Sequence, residues 1–158
     1  MFVERRKPLD FSKYSFILAN AQRLEQEIKD LRDTLDTLNE YRMNISPVLT
    51  GMPSGGSKKD KVPEFVIKLN HDRQNLNRRL DGLVALYGEA KDTLYRMEMA
   101  VNRISDVQLR DIARMYYFDG ANVPRIAESV SLSRHSVYRR ISEINKILPV
   151  QKAETRGS

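Results

Sequence analysis

Between Tyr14 and Ile45 the chain places Tyr14, Ile17, Ala21, Leu24, Ile28, Leu31, Leu35, Leu38, Arg42 and Ile45 alternately three and four residues apart. A strand repeats its inward residues every second position, so this spacing excludes a sheet and fits a helix with a narrow apolar seam. Arg42 is the one polar break. The residues between are mostly Glu, Asp, Lys, Arg, Gln and Asn, as a solvated face requires, and no Gly or Pro interrupts them. The spacing predicts one helix over residues 12–45.

Composition then shifts. Residues 46–61 hold Pro47, Pro53, Gly51, Gly55 and Gly56 and read as a loop. Beyond it comes a second seam: Val62, Val66, Leu69, Arg73, Leu76, Leu80, Leu83, Tyr87, Ala90, Leu94, Met97, Val101 and Ile104. Asp60 is placed to cap it and Pro63 suits a first turn. Gly82 and Gly88 weaken this helix by about 1 kcal/mol each relative to Ala, and they admit close approach by another helix. Two seamed helices, 12–45 and 62–104, joined by one loop suggest an antiparallel coiled-coil hairpin. Folding at the loop pairs Leu38 with Leu69, Leu31 with Leu76, Leu24 with Leu83 and Ile17 with Ala90. Two helices alone bury little core, so residues 1–104 are expected to associate with a second copy, as a dimer or higher oligomer.

Bulk properties narrow the function classes. The chain has 158 residues and a formal net charge of +6, which favours a polyanionic partner. It has no cysteine, and its two histidines, His71 and His135, stand far apart, so neither disulfides nor a paired-His or thiolate metal site is expected. The first residues carry no long apolar run, and no stretch approaches the ~18 apolar residues of a membrane span. A cytoplasmic protein without a membrane partner is expected. Gly51 to Lys58 lacks the Gly-Lys-Ser/Thr ending of a phosphate loop, and the carboxylates lie along helix faces with no base or nucleophile beside them. No cofactor is expected, and the chain does not read as an enzyme.

After Ile104 the pattern changes to short helices separated by turns. Ser105 and Gln108 have capping-box spacing, and Leu109, Ile112, Ala113 and Tyr116 share one face of the helix they open. Asp119-Gly120 ends it. Asn122 caps the next helix, with Pro124 in its first turn and Ile126, Ala127 and Val130 inward. Ser131-Leu132 make a tight turn. Ser133 caps a third helix, running to Leu148, with Val137, Ile141 and Ile144 inward and Pro149 beyond it. The expected architecture is all-α: a long helical hairpin, then a three-helix helix-turn-helix domain over 105–149, then a tail of 150–158.

The outer face of the third helix carries the chemistry. From Ser133 to Lys146 there are four basic residues (Arg134, Arg139, Arg140 and Lys146) and one acid, Glu143. In the usual docking of such a helix its first turns meet base edges in the major groove of double-stranded DNA. Arg134, His135 and Arg139 are therefore the expected base readers. Arg125, Ser133, Ser136, Tyr138 and Arg140 are the expected phosphate contacts.

These residues also carry a resemblance. Leu109 to Gly120, ending in Tyr116-Tyr117-Phe118, then Val123-Pro124-Arg125-Ile126-Ala127, then Leu132 to Arg140 with its Ser136-Val137-Tyr138-Arg139, resemble the region-4 helix-turn-helix of sigma factors. More closely they are similar to the RinA and ArpU types of late-gene activator from phages of Gram-positive bacteria. The specific part covers residues 106–148. Arg125 stands where the family carries an acid before Ile-Ala, and Ser131 where it usually carries Gly. The resemblance implies a regulator of phage late genes that acts in the bacterial host cell, recognises promoter DNA and contacts host RNA polymerase. Two other classes fit the same layout: a small-terminase-like DNA-packaging subunit and a coiled-coil adapter that binds only protein.

Overall fold

The computed structural model describes residues 9–50 and 64–148, with side chains described outside 44–50. The fold is all-α. A short 3-10 turn at Phe11–Lys13 leads into α1 (Tyr14–Thr50); α2 is Glu64–Asn102, α3 Val107–Ala113, α4 Val123–Val130 and α5 Arg134–Ile147. No strand occurs among the described residues. Helix α1 runs five residues past its expected end at 45, taking in Ser46 and Pro47. Proline's fixed φ near −65° is itself a helical value. The rest of the expected loop, the Asp60 cap, Pro63 and the tail 150–158 lie outside the described residues.

The chain forms two compact units, one of residues up to Ala21 and from Glu89 onward, the other of Gln22–Gly88. In the second unit, α1 buries Leu24, Ile28, Leu31 and Leu35, the expected seam. On α2 the expected seam residues Val66, Leu69, Arg73, Leu76, Leu80, Leu83 and Tyr87 are all half-buried. Arg73, the polar break in that seam, donates from Nη1 to Asn39 Oδ1 at 3.5 Å. That pair sits about five residues further along α2 than the pairing of Leu38 with Leu69 implies. Heptad spacing defines which face of each helix turns inward, but any shift that keeps seam on seam satisfies it, so the register is decided by the side chains that meet.

The first unit holds the larger core. Leu9, Phe11, Tyr14, Met97, Val101, Ile104, Leu109, Ile112, Ile126, Val137, Ile141, Ile144 and Leu148 are all buried. Helices α3 and α4 both pack on α5 and touch each other. Asp106 caps α3, its Oδ1 accepting from the N–H groups of Gln108 at 2.9 Å and Leu109 at 3.1 Å. The cap thus falls one residue later than the expected Ser105. A carboxylate one position on reaches the same orphan N–H groups and also suits the positive end of the helix.

Helix α3 does not simply stop. It widens into a π turn over Arg114–Phe118, in which Asp119 N–H donates to Arg114 O at 3.0 Å, and Gly120 at φ +65 closes it. The added residue per turn rotates the side chains beyond it about the helix axis. Tyr116, expected inward, is 38% exposed, while Tyr117 and Phe118 swing toward the start of the chain. The Phe11 and Tyr117 ring centroids stand 5.6 Å apart, and those of Tyr14 and Phe118 4.3 Å. Tyr117 also donates its hydroxyl to Asn145 Oδ1 on α5.

Two of these tyrosines give the fold an alkaline limit. Burial pushes the Tyr14 phenol above its usual value near 10, and the Glu98 carboxylate, which accepts its hydroxyl at 3.3 Å, pushes the same way. Burial, then Tyr116 and Asp10, raise Tyr117. Both groups keep their protons longer in the folded chain than in the unfolded one. Their contribution is therefore full below pH ~10 and falls as pH rises through the raised values. The melting temperature should hold steady across neutral pH and drop above about 10, and Tyr14→Phe should make the drop shallower. An unchanged slope in that variant would contradict the assignment.

Candidate nucleic-acid interface

Helix α4 is short because its ends are both specified. Asn122 Oδ1 accepts from Arg125 N–H at 3.0 Å at its start, with Pro124 in the first turn. At its end Ser131 takes the left-handed conformation, φ 55 and ψ 42, and Leu132 N–H closes the turn on Ala127 O at 3.0 Å. Ser131 is the one non-glycine at positive φ among the described residues. That conformation costs an L-residue roughly 1 kcal/mol. Ser131→Gly should therefore raise stability by about 0.5–1 kcal/mol, read from the denaturation midpoint. A loss would show that the hydroxyl contributes more than the backbone conformation costs.

Ser133 then caps α5. Its Oγ accepts from Ser136 N–H at 3.2 Å and lies 2.9 Å from Ser136 Oγ. With the turn and the cap set, Val137, Ile141, Ile144 and Leu148 go into the core. Ile147, next to Leu148 in the chain, lies off this stripe and is 55% exposed.

The opposite face of α5 results from the same geometry. His135, Arg139, Ser142 and Lys146 are exposed and spaced four, three and four apart, so they form one straight row over the core stripe's far side. Arg134 and Tyr138, four apart, make a second exposed row along one edge, with Tyr138 60% exposed. Arg140 lies on the other edge. Its Nη1 is 3.4 Å from Glu143 Oε2 and 3.9 Å from the Asp106 carboxylate, so it ties α5 to the capping residue of α3. The single acid of this helix thus sits off the central row and has a basic partner. The row itself carries no negative charge.

The three expected base readers are all on exposed faces of α5, with His135 and Arg139 in the central row and Arg134 at its edge. The five expected phosphate contacts divide. Arg125, on the first turn of α4, and Tyr138 are exposed. Ser133 and Ser136 bond each other at the cap, and Arg140 is held by two carboxylates. Ser142 and Lys146 complete the row but were not among the expected contacts. The i, i+4, i+7, i+11 spacing from His135 was the signal for them. Among the described residues no group of three or more His, Cys, Asp or Glu could hold a metal ion, and no helix is long and apolar enough to cross a membrane.

No family model, curated protein or solved structure matches this chain.

Proposed function

We propose that the chain is a sequence-specific DNA-binding regulator in which α4, the Ser131 turn and α5 act as a helix-turn-helix, and α5 enters the major groove. The observation that carries this reading is the acid-free row His135, Arg139, Ser142 and Lys146 on a helix whose other side is fixed in the core. A rigid helix with one basic outward row is what reading a groove requires. His135 and Arg139 lie about 6 Å apart along the axis and fit within the groove. Lys146 lies about 16 Å from His135, more than the groove's ~12 Å width, and so falls at its edge, on phosphate. The net charge of +6 adds attraction at long range. The likeness of residues 106–148 to phage late-gene activators points to transcription as the process and to the polymerase as a partner. The helical tracts would bring copies together.

Purified protein should enrich a discrete site from fragmented genomic DNA. Lys146→Ala should leave that site unchanged but lower affinity and reduce the salt slope of log K by about 1. Failure to bind any duplex at low salt would remove the proposal and leave a protein-only adapter.

A further inference from the structure

In the second unit, one side of the α1 and α2 pair carries an open groove lined by Glu25, Lys29, Arg32, Asp33, Asp36 and Val84, with Ile28 and Tyr87 at its floor. Ile28 is buried, Tyr87 half-buried, and Val84 is 39% exposed. The charged rim belongs to α1, where Glu25, Lys29, Arg32 and Asp36 fall on one face at spacings of four, three and four. Lys29, Arg32, Asp33 and Asp36 are all exposed, and none forms an ion pair with another described residue. Elsewhere on the same helix Arg23 does pair with Glu27, at 2.8 Å.

The order of these four charges is two basic residues, then two acids. That order is self-complementary. When a helix crosses a copy of itself antiparallel, each residue before the two-fold axis meets the residue equally far beyond it. With the axis between Arg32 and Asp33, both basic positions meet acids. A parallel crossing would set like on like.

We propose that this groove is a self-association surface, in which α1 crosses α1 of a second copy antiparallel about an axis between Arg32 and Asp33. Lys29 meets Asp36 of the partner subunit, and Arg32 meets Asp33 of the partner subunit. The two-fold repeats both pairs, giving four contacts. Further out, Glu25 comes toward Glu40 of the partner subunit. These lie about 11 Å from the axis, so the helices are inclined, as helices in globular cores commonly are at about 50°, and the like charges diverge. Exposed pairs are individually weak and are screened by salt. The association is therefore a modest one that high salt dissolves.

The inference rests on the self-pairing part of the functional reading and not on DNA binding, so its test uses the full chain without DNA. Sedimentation equilibrium at low salt should show a dimer. Lys29→Glu with Arg32→Glu should weaken it about tenfold or more, and so should Asp33→Lys with Asp36→Lys. All four residues are exposed, so helix content by circular dichroism should stay constant. Mixed together, the two double variants restore every contact with opposite charges and should form a heterodimer. A monomeric wild type, a dimer indifferent to both double variants, or a mixture that stays monomeric would each overturn the proposal. A wild type that stays monomeric yet still selects its DNA site would overturn this proposal alone and leave the DNA reading standing.

Discussion

Phe11→Ala should cost about 3–5 kcal/mol, the range for truncating a buried aromatic side chain. Phe11 is 1% exposed, and its ring meets Tyr117 on the π turn. The cavity would open where three parts of the first unit converge: the start of the chain, the end of α3 and, through the Tyr117 hydroxyl, Asn145 of α5. For a chain of this size the loss lowers the melting temperature of the transition that includes the first unit by about 10 °C. Near-ultraviolet circular dichroism should track the same transition, because Phe11, Tyr14, Tyr116 and Tyr117 lie together. A cost under about 1 kcal/mol would mean that residues 9–13 do not dock on the π turn in solution.

Arg139→Ala should have the largest effect on DNA recognition. Arg139 is exposed in the middle of the acid-free row of α5, and a bidentate arginine–guanine contact is worth about 1–3 kcal/mol of discrimination. The variant should bind its selected site about 5- to 150-fold more weakly while its affinity for unrelated duplex changes little. The adjacent Arg140 gives the contrast. Its guanidinium is held between Glu143 and Asp106, so Arg140→Ala should act first on the link between α5 and the α3 cap, lowering stability by no more than about 1 kcal/mol. Competition binding with cognate and scrambled duplexes separates the two. Equal losses on both duplexes for Arg139→Ala would assign it to phosphate instead of bases.

Periodicity made much of this chain readable. Seam spacing located α1 and α2, and Asn122, Ser133 and Gly120 marked ends because each supplies a specific local bond or dihedral angle. The features that escaped are the ones settled by contacts across the chain. The Asn39 and Arg73 contact sets a register that seam spacing leaves open. The π turn cannot be seen in Arg114–Phe118 itself, since it exists to aim Tyr117 and Phe118 at Phe11 and Tyr14. Arg140 looked like any outward arginine, because its partner Asp106 is distant in sequence. Lys146 escaped for a different reason: the usual docking favours the first turns of a reading helix, and this row runs well past them.

The first unit joins the beginning of the chain to its far end. Phe11 and Tyr14 leave the ribosome about a hundred residues ahead of Tyr117 and Phe118, which at about 5–20 residues per second is a delay of roughly 5–20 s. Through that interval Phe11 and Tyr14 lack the rings they pack on, whereas Gln22–Gly88 can close on itself. The order of synthesis therefore makes the first unit mature after Gln22–Gly88. A nascent chain halted before residue 117 would carry the groove between α1 and α2 complete and α5 absent.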